Sequence, residues 1–596
     1  MCGIVGLIRQ KDAAGAVLEA LQRLEYRGYD SVGLGVIDHK LDVFRKEGKI
    51  NVLLDSFQGQ FPEGGTAIAH TRWATHGRPE VKNAHPLSDG GIAVVHNGII
   101  ENEASLRQEL IKGGALFSSD TDTEVILRLL LEDGGKVEDA LPRILPRLEG
   151  AFALAILDER ERNRIFFARR HSPLVLGIGE KENWMASDLS AFLPETREVI
   201  FLEEDRWGWI TEEDIEIRRN DGSPVKPQVK IFPWNPVSAQ KGRFSHFMLK
   251  EIHEQPRAIT DTLSDKLSPQ GLHLSEDVVA LLRKTKRIQC VACGTSFNAT
   301  LAFRSWVENI AGIPCEVEIA SESRNRPLFP SEGLLVIAVS QSGETFDTLK
   351  AVEPFLDAQV PVLSVVNTTG NSLERCSTAI LRTHAGMEIG VAASKTHLAQ
   401  LSTLFLVALQ LAELGGTDIS DELLALRRLP SVLETVLGME RDIKEIAQRF
   451  TATQNALFLG RQRHWSTAME GSLKLKEISY IHAEAYAAGE MKHGPIALIS
   501  KEMLVVIIAP FDDHFKKIYG SLREVAARKG RILLLTTKEA PEVSEAEITL
   551  VLPTTIPLLS AFPALVALQI FAYWIARERG LDIDQPRNLA KTVTVE

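Results

Sequence analysis

Leu334-Leu335-Val336-Ile337-Ala338-Val339-Ser340-Gln341-Ser342-Gly343-Glu344-Thr345 is the stretch that decides the fold. Its first six residues are apolar without alternation, and they stop on a turn rich in hydroxyls. An unbroken apolar run of this length reads as a strand covered on both faces, as in a parallel sheet. A helical pattern follows, and then another apolar run at 360–366. Upstream, Ile288-Gln289-Cys290-Val291-Ala292-Cys293 ends at Gly294 and leads into a helix. The plan then recurs. A strand at 457–459 ends at Gly460, one at 504–509 ends at Pro510, and a third lies at 531–535. Strand–helix alternation in two copies predicts two doubly wound parallel-sheet (αβα) domains with right-handed crossovers, at 246–430 and 431–580.

Outward from this pair the texture changes. Residues 2–215 mix short β-like runs, such as Thr66-Ala67-Ile68-Ala69-His70 and Gly91-Ile92-Ala93-Val94-Val95-His96, with helical patterns. That mixture predicts sheets packed with helices. Pro224, Pro227, Pro233 and Pro236 interrupt all periodicity, so 216–245 reads as a linker. Residues 581–596 form a polar tail. The chain has 596 residues, 44% hydrophobic and 24% charged, which excludes a disordered or low-complexity protein. Lys plus Arg number 67 and Asp plus Glu 79, giving a net charge of −12. Such an acidic balance argues against a general affinity for nucleic acid or an anionic membrane. Five scattered cysteines suit a reduced, cytoplasmic protein better than a disulfide scaffold. The start of the chain lacks the pattern of a secretory signal. The charge-free stretch 548–576 contains Pro553, Pro557 and Pro563, so it reads as strand, loop and buried helix rather than a membrane span.

Cys2 becomes the first residue if Met1 is removed. A free α-amine titrates near working pH and can serve as general base for the thiol of its own residue. In the loop Arg72-Trp73-Ala74-Thr75-His76-Gly77, Arg72 is suited to grip an α-carboxylate in bidentate fashion. Asn97 has an amide donor and Gly98 an unencumbered backbone N–H, the makings of an oxyanion hole. Asp122 is placed either to meet a substrate ammonium or to lie in an ordinary helix start, where Asp120 or Thr121 is the cap. Cys2-Gly3-Ile4, Tyr26-Arg27-Gly28-Tyr29-Asp30-Ser31, the Arg72–Gly77 loop, Asn97-Gly98 and Asp122 together resemble the class II glutamine amidotransferase domain. The resemblance implies an αββα N-terminal-nucleophile fold. It implies Cys2 as nucleophile and base, with Asn97 and Gly98 as oxyanion donors. It also implies that Arg72, Thr75, His76 and Asp122 hold glutamine, that Arg27 lies beside the nucleophile, and that Trp73 gates an internal ammonia channel. His70, His85 and His96 receive no role beyond packing.

Cys293-Gly294-Thr295-Ser296 and Ser340–Thr345 are both strand-to-helix turns. Helix N-termini carry unpaired N–H groups and a positive dipole end, and added hydroxyls make a neutral phosphate cup. The second copy has Arg461-Gln462-Arg463 and Phe511-Asp512-Asp513 at the corresponding places, so one phosphate site per chain is expected. Glu470, Lys474 and Glu477 are spaced to share one helical face. Lys591 is the lone lysine of the tail, and it can attack a ketone if desolvation lowers its pKa.

These blocks, with Phe247-Met248-Leu249-Lys250-Glu251-Ile252-His253-Glu254-Gln255-Pro256 and Asp584–Glu596, resemble the isomerising glutamine–fructose-6-phosphate aminotransferases over essentially the whole chain. The resemblance implies that Thr295, Ser296, Ser340, Gln341, Ser342 and Thr345 bind the sugar phosphate. Lys591 would form a Schiff base with the open-chain ketose. Glu477 would move the proton between C1 and C2, Lys474 would sit near that centre, and His493 would assist ring opening. Val391 and Ala590 would contact the sugar through backbone. Glutamine and fructose 6-phosphate are the implied substrates, with no metal or redox cofactor. A homodimer is implied, with His493 from either subunit. Ala393 departs from the family pattern, which usually has Ser-Thr before the lysine, and removes a hydroxyl from the sugar side. That keeps open a relative aminating another ketose phosphate. A non-catalytic sugar-phosphate-binding regulator would lack Cys2, Glu477 and Lys591. The phosphoribosyl and asparagine-forming amidotransferases would carry phosphate loops that are absent here.

Overall fold

A computed structural model of the chain describes residues 2–25, 28–73, 77–231 and 241–593. It divides into two compact units, Met1–Pro236 with Thr592–Glu596, and Val237–Lys591.

The first unit has two antiparallel sheets. Eight strands form one of them, with Gly3–Arg9 hydrogen-bonded between Glu182–Ala186 and Thr66–Arg72. The other has six, with Ile92–Ile100 beside Gly150–Asp158. The sheets face each other over Ile4, Ile8, Ile68, Val95, Ala155, Phe167 and Met185. The outer face of the six-stranded sheet packs Phe152, Phe166 and Trp207 against Val125, Ile126 and Leu130 of the helix Thr123–Asp133. The helix Ala13–Gln22 covers the other sheet, burying Val17, Leu18 and Leu21. This is the helix–sheet–sheet–helix stack implied by the amidotransferase resemblance. The strand Ile215–Arg219, which runs across the start of the stretch read as a linker, and Val229–Ile231 inside it are strands of these sheets. Pro224 and Pro227 fall between these strands, while Pro233 and Pro236 lie outside the described residues.

The second unit holds two five-stranded parallel sheets. Across the first, the strands run Cys315–Ile319, Arg287–Ala292, Leu334–Ser340, Val362–Val366, Ala379–Arg382. Across the second they run His482–Ala487, Asn455–Gly460, Leu504–Ile508, Arg531–Thr537, Ile548–Leu552. The chain order is the same in both, which makes the weak sequence repeat a structural one. All of Leu334–Ser340 and of Leu504–Ile508 is buried, because helices cover both faces. In each sheet the order reverses between the first and third strands of the chain. Open α/β sheets leave a crevice at that switch point, at the carboxyl ends of the strands. In the first sheet, Ala292 pairs with Val339 there, so the turns at 293–296 and 340–345 emerge side by side.

Two helices, Lys395–Leu414 and Pro557–Glu578, have the length and apolarity of a membrane span, but about nine-tenths of each is buried inside the protein. Their side chains, Phe405, Phe562 and Phe571 among them, form the core of the unit with Trp306. Pro563 lies in the first turn of the α-helix proper, Ala561–Glu578, where a missing N–H costs no hydrogen bond.

Candidate functional site

In the first unit, Cys2 sits at the start of the central strand. The backbone N–H of Trp73 donates to its Sγ at 3.2 Å, a bond that favours the thiolate. Burial pushes the Cys2 thiol up, against the pull of the amino terminus, of that N–H and of Arg72. Asn97 is held at both ends of its amide. Its Nδ2 donates to the Cys2 carbonyl at 2.9 Å, and its Oδ1 lies 3.1 Å from His70 Nε2. Burial drives His70 down to about 3, so the imidazole is neutral at working pH. The same Nε2 faces the His96 carbonyl at 3.2 Å and must therefore carry the proton. His70 thus orients the proposed oxyanion donor, a role its residue type and position had not suggested. Gly98 has φ +130°, and a Cβ there would lie 1.9 Å from the Ala151 carbonyl oxygen, so only glycine fits.

Asp122 is 5% exposed and one of its oxygens accepts the Ile100 N–H at 2.8 Å. His96 Nδ1 is 3.8 Å from the same oxygen and 3.0 Å from Thr123 Oγ1. The helix Thr123–Asp133 has no side-chain cap from Asp120, Thr121 or Asp122; Glu124 in its first turn instead accepts the N–H groups of Ser118 and Ser119 in the preceding loop. Arg72 is buried. Burial weakens its hold on the proton, while Cys2, Asp122 and Asp30 strengthen it, with a net lowering. These contacts bring Cys2, Arg72, Trp73, Asn97, Gly98 and Asp122 into one cluster. Arg27, Thr75 and His76 lie outside the described residues.

In the second unit, Glu470, Lys474 and Glu477 do share one face of the helix Arg463–Ser479, with Glu470 and Lys474 buried and Glu477 at the edge of the interior, 18% exposed. Lys474 Nζ is 3.3 Å from Glu470 and 2.6 Å from Glu477. Burial disfavours its charge, yet the two carboxylates win and raise its pKa. Glu470 is fully buried and accepts from Thr295 Oγ1 at 3.0 Å and Asn298 Nδ2 at 2.8 Å. Lys474 also donates to Thr295 Oγ1 at 3.2 Å. Thr295 therefore ties the first copy's turn to the second copy's charged helix. Burial raises the Glu477 carboxyl, only partly offset by Lys474, which suits a group that must both take and give a proton.

Beside this cluster lies the cup. Ser340 Oγ accepts the Gly343 N–H at 3.0 Å and lies 2.9 Å from Thr345 Oγ1. Ser342 Oγ accepts the Glu344 N–H at 3.1 Å. Gln400, which sequence reasoning missed, donates to Ser296 Oγ at 3.0 Å. The matching turn of the second copy holds Asp512 within 3.8 Å of Arg463 and of His464. A carboxylate there disfavours an anion and leaves the first copy as the phosphate-compatible one.

The tail is anchored. The Arg587 N–H donates to Tyr480 Oη at 2.7 Å, and the Asp584 carboxylate accepts the N–H groups of Phe247 and Met248 at 2.9 Å each. Lys591 is thereby carried into the site. Its Nζ donates to Glu388 Oε2 and, at 2.8 Å, to the Gly390 carbonyl. Burial pushes the Glu388 carboxyl up, but Lys591 and the donors Thr396 and Ser394 bring it down to about 2. The charge of Lys591 is also felt at Glu477, where it lowers the carboxyl slightly against burial. Sequence reasoning missed Glu388. Its signal is an acidic residue in the otherwise apolar run Met387-Glu388-Ile389-Gly390-Val391. The Val391 N–H is taken by the Asp584 carbonyl at 3.1 Å. His493 is exposed in the turn Ala488–His493 and makes no hydrogen bond to Glu477 or Lys591. Among the described residues no group of His, Cys, Asp or Glu is arranged to hold a metal.

Fold and clusters together define a glutamine amidotransferase domain followed by a pair of sugar-isomerase domains. Residues 70–194 match the glutamine amidotransferase domain family, and 281–410 and 450–578 match the SIS domain family. The chain is 47% identical over 609 residues to the glutamine–fructose-6-phosphate aminotransferase (isomerizing) of Photorhabdus laumondii, and 45% identical over 602 residues to that of Aquifex aeolicus. Each alignment covers 100% of both chains. A solved C-terminal domain of glucosamine–fructose-6-phosphate aminotransferase from Francisella tularensis superposes with a TM-score of 0.56. It is 37% identical and covers 58% of this chain and 100% of its own. The chain belongs to the isomerising glutamine–fructose-6-phosphate aminotransferase family.

Proposed function

We propose that the chain transfers the amide nitrogen of glutamine to fructose 6-phosphate and isomerises the product, giving glucosamine 6-phosphate and glutamate. The observation that carries this reading is the buried Glu470–Lys474–Glu477 cluster, set between a hydroxyl cup and a lysine held in a desolvated pocket. Cys2 Sγ attacks the amide carbon of glutamine, and the terminal amine of the processed chain takes the thiol proton. Asn97 Nδ2 and the Gly98 N–H receive the oxyanion, while Arg72 and Asp122 engage the substrate's carboxylate and ammonium. Arg27, Thr75 and His76 complete that pocket, and Trp73 gates the ammonia released. A water then cleaves the thioester to glutamate.

On the sugar side, Ser296, Ser340, Gln341, Ser342 and Thr345 hold the phosphate through hydroxyls, an amide and N–H groups, with Thr295 linking the cup to the acid–base helix. Val391 and Ala590 contact the sugar through backbone. His493, from its own subunit or the second subunit of a homodimer, assists ring opening. The Lys591 amine adds to C2 of the open ketose and water leaves. Ammonia displaces the lysine, and Glu477 carries the C1 proton to C2 with Lys474 beside it. The site uses no metal or redox cofactor, and the protein works in the cytoplasm without nucleic acid or membrane. Incubation with amide-labelled glutamine and fructose 6-phosphate tests the reading by mass spectrometry. Labelled glucosamine 6-phosphate is expected. Labelled ammonia without amino sugar would overturn the sugar assignment and point to another ketose phosphate, with Ala393 as the cause.

A further inference from the structure

Glu251 lies on the helix Phe247–His253 and is 2% exposed. Its Oε1 accepts the N–H groups of Ile389 and Gly390, at 2.5 and 3.2 Å. Its Oε2 is buried without a hydrogen-bond partner. A Cβ at position 390 would come within 2.8 Å of that oxygen, so the carboxylate and the backbone are in close register. The two peptides whose N–H groups it grips directly precede the one whose carbonyl holds the reactive amine. The Gly390 carbonyl accepts from Lys591, and Glu388, one residue before Ile389, pairs with the same ammonium. Asp584 closes the ring by capping the Glu251 helix and by accepting the Val391 N–H.

We propose that Glu251 is a positioning residue for Lys591: by splinting the 389–390 peptides it aims the Gly390 carbonyl and the Glu388 carboxylate at the amine, and its protonation state tunes that amine's reactivity. The inference rests on the reading of Lys591 as the Schiff-base residue. The charged groups facing Glu251 are Glu388 and Lys395 from the loop and helix it packs on, and Lys591 from the tail. On its own helix Lys250 and, just beyond, Glu254 pair with each other at 3.6 Å, and Glu254 also takes Lys395 at 2.8 Å. Burial, reinforced by Glu388, pushes the Glu251 carboxyl up to about 7 against the pull of Lys591 and Lys395. It therefore changes charge across the working range. Ionised Glu251 places a second carboxylate charge near the Lys591–Glu388 pair, and neutral Glu251 removes it.

The test is reductive trapping of the full-length protein with fructose 6-phosphate and cyanoborohydride, which converts the imine to a stable secondary amine located by peptide mass spectrometry. Glu251→Gln keeps the Oε1 acceptor but cannot ionise. The ratio of wild-type to E251Q trapping rates is expected to change by about threefold or more between roughly pH 6 and 8, following one titrating group. Glu251→Ala loses the splint and is expected to trap about tenfold more slowly throughout, as loss of the shared acceptor for two buried N–H groups allows. Wild-type-like rates and pH profiles in both variants would overturn the inference while leaving Lys591 in its role. A wild type labelled elsewhere than Lys591 would overturn the Schiff-base reading itself, and the inference with it.

Discussion

Replacing Lys474 with methionine probes the charged helix at its centre. The side chain is 1% exposed and bridges Glu470, which is fully buried, and Glu477. Methionine has similar volume, so the cavity contribution is small. What remains is charge. Removing one partner of a buried pair costs about 3–5 kcal/mol, because the other charge is left without compensation. Part of that cost is relieved when Glu477, already raised by burial, takes a proton. Glu470 then carries most of the penalty, so adding Glu470→Gln should recover about 2 kcal/mol, the coupling expected of contacting charges. The assay is hydrogen exchange at the amides of the helix Arg463–Ser479 in the full chain, across a urea series at neutral pH. Lys474→Met should lower the opening free energy of that helix by the stated amount, and the double variant should be more stable than the single. A single-variant cost below about 1 kcal/mol, or strict additivity of the two changes, would refute a buried, ionised cluster.

Three further outcomes are expected. Cys2→Ala should abolish glutamine hydrolysis, about 10⁴-fold or more, while amination with free ammonia continues, as product assays with each nitrogen source would report. For Glu388, a carboxyl held at about 2 in the fold against about 4.3 in the unfolded chain contributes about 3 kcal/mol at neutral pH. That contribution is present above about pH 4.3 and is lost as pH falls toward 2. Urea unfolding of Glu388→Gln should therefore show a deficit that is constant from mildly acid to neutral pH and shrinks below about pH 4. Ala393→Ser returns one hydroxyl to the sugar side, and a gain of about 0.5–1.5 kcal/mol should lower KM for fructose 6-phosphate by roughly two- to tenfold, measured by steady-state kinetics.

Much of this was legible before any coordinates. The apolar run ending at Ser340 and its counterpart ending at Pro510 announce parallel strands by composition alone, since both faces of such a strand must be apolar. Lys474, Glu477 and Lys591 stand out because charged side chains are expensive to bury without a purpose, and Cys2 and Asn97-Gly98 because of their position and motif. His70, Gln400, Glu388 and Glu251 do not stand out. Each acts through a partner remote in sequence: His70 through Asn97, Gln400 through Ser296, Glu388 through Lys591, and Glu251 through the peptides that follow Glu388. No local pattern encodes such a pairing.

The sequence by itself determined the element types, the repeated α/β plan and the chemical inventory, because periodicity and side-chain chemistry are local properties. Only the tertiary structure decided which of these groups are charged and against whom. The face bearing Glu470, Lys474 and Glu477 has the spacing of a solvated ion-pair ladder, yet Glu470 and Lys474 on it are buried. A neighbouring helix of the other copy brings Thr295 and Asn298 onto it. Desolvation and the choice of counter-charge depend on what packs above a residue, and long-range packing alone supplies that.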